Sequence, residues 1–258
     1  MTREEIKIGT QTRVMRALGA NSLVTKVDLL QTQGNGIFQP TATTSALLQQ
    51  ASKLVQKNMS VLDLGCGWGI IGLELALEME GTIVLAMSDL SVNAVNAAQK
   101  NAEILGIEST IKLGSVFEPW HGRKFDLIIS DVSGISQELP FISKWFEGIP
   151  LASGADGLDL VSSVIIGASQ YLNDLDSKIL MPLISLSDVT KGERLMNTHF
   201  WQVKLLMEKS WHLELDDEFQ LKMEELKKNR HIDFLKVGTT YEFFTRIYEL
   251  SEPKVKSA

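Results

Sequence analysis

The chain has a single cysteine, Cys66, so no internal disulfide can staple it. A lone thiol suits a reducing compartment, and a cytoplasmic protein is expected. No apolar run is long enough to span a bilayer, so no membrane partner is expected. Residues Met1 to Arg16 carry scattered charges without an apolar centre, which argues against a secretory signal. Positive charge is also in short supply: 25 Lys and Arg stand against 32 Asp and Glu, a formal net charge of −7. That balance excludes a broad basic surface gripping phosphate backbones, so nucleic acid is not an expected partner. The short basic run Lys227, Lys228 and Arg230 follows Glu224 and Glu225 and reads as a solvated helix face. None of His121, His199, His212 and His231 lies at metal-ligand spacing from another histidine or the cysteine, so no metal is expected. Internal repeats and low-complexity linkers are missing as well.

What is present is an ordinary globular balance, 44% hydrophobic and 22% charged over 258 residues, enough for a full core. The pattern alternates between strand and helix. Short apolar strands are expected at 60–64, 82–88, 110–113, 125–130, 178–186, 211–215 and 241–250. Helices are expected at 43–56, 70–79, 92–105, 156–172, 191–208 and 217–229, with Ser91 and Gly106 bounding the third of these. Continuous apolar strands such as Leu127-Ile128-Ile129 belong in a sheet covered on both faces. The expected fold is α/β: a Rossmann-like, doubly wound, mostly parallel seven-stranded sheet with helices on both faces. Residues 1–45 form an N-terminal helix and hairpin extension, with the hairpin 23–38 a possible lid. Residues 46–250 form the main domain, with an insertion near 216–240, and 251–258 a loose tail.

The richest segment is Val61-Leu62-Asp63-Leu64-Gly65-Cys66-Gly67-Trp68-Gly69, a strand running into a glycine turn before a helix. Glycines there allow positive φ and close approach of a ligand to the backbone, and such sheets bind ligands beyond the carboxyl ends of their strands. Gly67, Gly69 and Gly72 also satisfy the dinucleotide pattern G-x-G-x-x-G, which leaves a nicotinamide oxidoreductase as an alternative. Asp63 argues the other way. A carboxylate beside the turn repels a pyrophosphate and suits a cationic amino group, as in S-adenosylmethionine. Asp89, ending the second strand, can accept both ribose hydroxyls. Cys66, inside the loop, reads as a small packing residue at the cofactor side and not as a nucleophile.

These residues resemble the class I methyltransferases, and within them the branch that methylates glutamine in translation release factors. Four segments carry the resemblance: Val61 to Gly69; Asp89-Leu90-Ser91 with Ala94, Ala98 and Asn101; Ile37-Phe38-Gln39-Pro40 with Thr44; and Gly154-Ala155-Asp156-Gly157-Leu158-Asp159. The resemblance implies S-adenosylmethionine as cofactor, held by Phe38, Thr44, Asp63, Gly65, Cys66, Gly67, Gly69, Asp89, Leu90, Ser115, Val116 and Asp131. In it Phe38 packs near the cofactor and Thr44 reaches its carboxylate. Ser115 stands where many relatives carry an acid for the adenine amino group; a plain turn residue is the other reading. The Gly154 to Asp159 stretch reads more simply as a helix cap. After the fourth strand the family carries Asn-Pro-Pro-Tyr, whereas this chain has Asp131-Val132-Ser133-Gly134. These four are the expected acceptor-binding residues, and the change puts glutamine methylation in doubt.

Methyl transfer from a sulfonium needs alignment and a dry site more than it needs a nucleophile or metal. An amine acceptor must lose a proton, and Asp131 is placed to hold it or to act as base. The acceptor expected is a nitrogen, less readily an oxygen, of a small molecule, peptide or protein. A binding protein without turnover remains the third reading. Asp188, after the fifth strand, is a further candidate for the acceptor pocket by position alone.

Overall fold

The computed structural model describes residues 37, 40–139, 153–214, 217–238 and 240–254. The expected hairpin 23–38 and its lid, apart from Ile37, and so Phe38, lie outside the described residues; of the expected loose tail 251–258, Ser251–Pro253 instead belong to a strand and 255–258 lie outside them. Helix α1 (Ala42–Leu54) opens on a capping box in which Thr41 and Thr44 exchange side-chain and backbone hydrogen bonds. Strand β1 (Ser60–Leu64), helix α2 (Ile70–Glu78), strand β2 (Val84–Asp89), helix α3 (Val92–Leu105), strand β3 (Ser109–Leu113) and strand β4 (Leu127–Ser130) follow. Ser91 caps α3 through its side chain, and Gly106 ends it at φ 66°, as the sequence anticipates. After α4 (Asp159–Gly167) come β5 (Lys178–Ile184), α5 (Val189–His199), β6 (Phe200–Glu214), α6 (Asp217–Lys228), β7 (Leu235–Val237) and β8 (Thr240–Pro253).

Among the described residues the sheet has eight strands. Seven run in the order β3-β2-β1-β4-β5-β8-β6, and the short β7 pairs with β8 as the eighth, one more than expected. Strands β3 to β5 are mutually parallel, while β8 runs antiparallel between β5 and β6. Period-two alternation sends successive strand residues to opposite faces. Val61, Leu127 and Ile129 join α1, α2 and α3 in one core. Leu62, Leu64 and Ile128 join α4, α5, Trp120 and Phe125 in the other. Trp120 is fully buried, and its indole N–H donates to Ser88 Oγ at 3.0 Å.

The principal departure is at 200–214. A helix over 191–208 is expected from spacing, but α5 ends at His199 and a 15-residue strand begins at Phe200. The reason is tertiary: β8 needs an antiparallel partner along its length, and β6 supplies one from Phe200↔Pro253 to Glu214↔Thr240. Propensity yields to that ladder. Trp201 consequently lies 70% exposed under Lys254 and not in a core or pocket wall. The expected helix over 156–172 is shorter, its end tightening into a 3-10 turn at Ala168–Gln170.

Pairing of Ile184 with Thr245 leaves the start of β8 and the end of β6 projecting beyond β5. A third core of Met223, Leu226, Ile232, Phe234, Tyr241 and Phe243 forms on this projection and takes in Ile135 and Leu139 from the loop after β4. Opposite that loop, Gly157 has φ 76°, and a Cβ there would stand 2.6 Å from the Ile135 carbonyl carbon. Gly157→Ala combines left-handed strain with overpacking against rigid backbone. It is expected to cost about 2 kcal/mol or more, measured by urea denaturation. A loss below about 0.5 kcal/mol would refute the close packing.

Candidate functional site

The carboxyl ends of β1, β2 and β4 meet at one place because they are neighbouring parallel strands. Asp63 pairs in register with Met87 and Ile129, so Asp89 and Asp131 lie two residues further along the neighbouring strands. The three share parity with Val61, Met87 and Ile129, hence the sheet face of α1 and α2. Backbone bonds tie the ends together: Gly65 N–H to Ser88 O at 2.9 Å and Asp131 N–H to Leu64 O at 2.9 Å.

The glycine turn grows from this junction. Gly65, Gly67 and Gly69 all have positive φ, at 72°, 56° and 90°. A Cβ on Gly65 would lie 3.1 Å from Asp131 O and the Val132 backbone, so only glycine lets the turn lie against the loop after β4. Cys66 is buried, and burial pushes its thiol well above the ordinary range, which fits packing and not nucleophilic attack.

Asp63 is 1% exposed. Its Oδ2 accepts the Gly72 N–H at 3.0 Å, while Oδ1 is buried with no partner. Burial pushes its carboxyl up to about 7, Gly72 opposes that rise, and the neighbouring Asp131 and Asp89 reinforce it. Gly72 therefore serves as donor and as close-packed helix residue. Asp89 is anchored twice, accepting the Gly67 N–H at 2.9 Å on Oδ2 and the Ser91 N–H at 2.8 Å on Oδ1. Each oxygen keeps a second lone pair for a hydroxyl. The adjoining Leu90 is 48% exposed, an apolar surface beside the acid.

Asp131 accepts a hydrogen bond from Thr44 Oγ1 at 2.9 Å. Burial lifts its carboxyl to about 6, and the Thr44 bond restrains the rise. Thr44, expected from the resemblance to reach the cofactor, thus also orients the acid from α1. Val132, Ser133 and Gly134 continue from Asp131 as a partly exposed loop. At the other rim the Ser115 N–H donates to Glu118 Oε2 at 3.3 Å. Val116 holds φ 47°, a costly state for a β-branched residue, of the kind found at functional sites. Composition and spacing carry no signal for that strain. Asp188 does not face this crevice as an unpaired acid: it caps α5, accepting the Lys191 N–H at 2.9 Å. Asp156 accepts the Leu158 N–H at 3.1 Å and pairs with Lys191, so the Gly154 to Asp159 stretch is chiefly a structural shelf.

The raised Asp63 carboxyl makes a stability prediction. The folded chain keeps this proton to about 7, whereas the unfolded chain releases it near 3.8. Between those values the native state binds more protons, so stability falls as pH rises through the window. The slope from one such group is at most about 1.4 kcal/mol per pH unit. Urea unfolding across this range should show the decline, to which Asp131 adds below about 6. Asp63→Asn should flatten it, and a variant profile as steep as the parent's would contradict the assignment.

The segment 35–131 matches the family model described as the methyltransferase small domain. The release factor glutamine methyltransferase of Geobacter sulfurreducens is 31% identical over 142 residues, 53% of this chain and 50% of that protein. That of Xylella fastidiosa is 35% identical over 140 residues, 52% of this chain and 50% of that protein. The chain thus spans about half the length of the curated relatives it matches. The fold is similar to that in a crystal structure of a methyltransferase from Pyrococcus furiosus. That likeness has TM-score 0.51 at 13% identity and covers 92% of this chain and 96% of that one. With a glycine turn, three strand-end acids and a matching segment in the same place, the chain resembles the class I S-adenosylmethionine-dependent methyltransferases, in particular the release factor glutamine branch.

Proposed function

We propose that this chain binds S-adenosylmethionine in the crevice of Asp63, Asp89 and Asp131 and transfers its methyl group to a nitrogen acceptor of a small molecule, peptide or protein. The observation that carries the reading is the orphaned Asp63 Oδ1, a buried acceptor without a donor beside a glycine turn. An ammonium group would give that oxygen the donor it lacks, and a pyrophosphate would add like charge beside it. The nicotinamide alternative therefore has the weaker support. When bound, S-adenosylmethionine supplies an electrophilic methyl on a sulfonium.

The residues divide the work. Asp63 takes the amino group, Asp89 the ribose hydroxyls, and the positive-φ glycines let the backbone close on the ligand. Leu90, Ser115 and Val116 line the adenine side. Asp131 would hold the acceptor N–H and take up the proton that the nitrogen must lose when a methyl passes to it from sulfur, the thioether being the leaving group. A carboxyl lifted to about 6 is mostly ionised at neutral pH yet basic enough to accept that proton. Thr44 fixes its orientation. The acidic Asp131-Val132-Ser133-Gly134 loop suits an amine or cationic nitrogen better than a neutral carboxamide.

Calorimetry with S-adenosylhomocysteine tests the cofactor half. Asp89→Ala is expected to weaken binding by about 100-fold, since two hydrogen bonds to a charged acceptor are lost together. Unchanged affinity would remove the site assignment. Asp131→Asn should leave this affinity within a few-fold of the parent and depress methyl transfer to amine acceptors by about 100-fold or more, read in a radiolabelled-methyl assay. Equal activity in the two proteins would eliminate the base.

A further inference from the structure

The loop after β4 is the least expected part of the crevice, since it carries the residues of the acceptor side yet leaves the parallel sheet. Its anchorage is unusual. The Ser136 N–H donates to Leu186 O at 2.7 Å and the Gln137 N–H to Gly154 O at 2.9 Å. Ser153, fully buried, donates its hydroxyl to Ile135 O at 2.5 Å. Ile135 and Leu139 are 7% and 5% exposed, packed in the third core with α6 and the start of β8. The charged tie is Glu138. Its Oε2 meets Lys222 Nζ of α6 at 2.8 Å, and its Oε1 meets His231 Nδ1 at 3.2 Å. One side chain on the acceptor loop thus grips the middle of α6 at Lys222 and the segment just after it at His231.

We propose that Glu138 is a positioning residue: by clamping residues 131–139 to Lys222 and His231, it holds Asp131 and Val132 to Gly134 against the glycine turn at the geometry transfer requires. The inference rests on the methyl-transfer reading of the crevice. Its physical basis is the close approach of the loop to Gly65, where the Val132 backbone is already at contact distance for a Cβ. A loop free to move by an ångström would misplace Asp131 relative to a cofactor held by β1 and β2, and misalignment on that scale is costly in a displacement reaction.

The test uses the full chain with Glu138→Ala, Glu138→Gln and Lys222→Met, and three readouts. Hydrogen exchange follows the Ser136, Gln137 and Leu139 amides, carboxyl-detected NMR follows the titration of Asp131, and calorimetry follows S-adenosylhomocysteine. In Glu138→Ala the three amides are expected to exchange about tenfold faster or more. Asp131 should titrate lower than about 6 as water reaches it. Lys222→Met should reproduce both changes in part. Glu138→Gln, whose single amide oxygen can keep only one of the two contacts, should show an intermediate effect, and affinity for S-adenosylhomocysteine should stay within about twofold in all three. Unaltered exchange and titration in Glu138→Ala would overturn the proposal. So would faster exchange spread evenly through β4 and β5, which marks a loss of stability without a positioning role. If the parent chain itself fails to bind S-adenosylhomocysteine, the methyltransferase reading falls, while the loop measurements still decide whether the clamp exists.

Discussion

Three carboxyls share one crevice at the ends of β1, β2 and β4, and among the described residues no lysine or arginine is paired with any of them. The rest of the site depends on that concentration of negative potential in a poorly hydrated place. It arises from two simple facts of sheet geometry: neighbouring parallel strands end on the same side, and residues of like parity face the same layer. Asp63, Asp89 and Asp131 satisfy both. An arrangement so costly to the free protein favours ligands that bring positive charge, because such a ligand relieves repulsion and desolvation together.

The scaffold supports that strain through two differently composed layers. On one face, small residues of α3 (Ala94, Ala98, Ala102) and leucines of α1 and α2 let helices approach the strands closely. Asp63 is thereby sealed beneath α2 and Asp131 meets Thr44 of α1. The other face is filled by Trp120, Phe125 and Tyr171, with Phe117 stacked on Tyr171 at 4.3 Å. The aromatics secure the segment between β3 and β4, and with it the turn that carries Ser115 and strained Val116. Each wall of the crevice is therefore the outer end of a core element.

Much of this is legible in the sequence. The strand Ser60–Leu64, the capped helix 92–105 and the glycine turn follow from apolar runs, Ser91, Gly106 and the clustered glycines. Asp63, Asp89 and Asp131 follow from their places at strand ends. What is hidden is non-local. The Thr44 to Asp131 bond joins residues 87 apart, the Glu138 to His231 contact residues 93 apart, and no local pattern encodes either. The strand Phe200–Glu214 is masked because its apolar residues also fit helical spacing over 191–208, and only the presence of β8 decides between the two. Asp188 looks like a site residue from position alone, but its role as a helix cap depends on where α5 turns back. Val116 looks like an ordinary apolar residue until its backbone angle is seen.

The antiparallel strand β8 has an effect beyond completing the sheet. A strand entering in the reverse direction delivers its first residues, not its last, to the side where the parallel strands finish. The chain leaves β6 at Glu214, pairs again through β7 (Leu235–Val237) and enters β8 at Thr240, so α6 and its flanks are a detour on the side of the sheet where the parallel strands finish. Such a detour is joined to the five parallel strands through the third core and the Glu138 contacts, so changes in its exposed residues leave the platform beneath it untouched. Diversification of partners in this architecture would be read first in that interval, as changes in loop length between two fixed ladder positions.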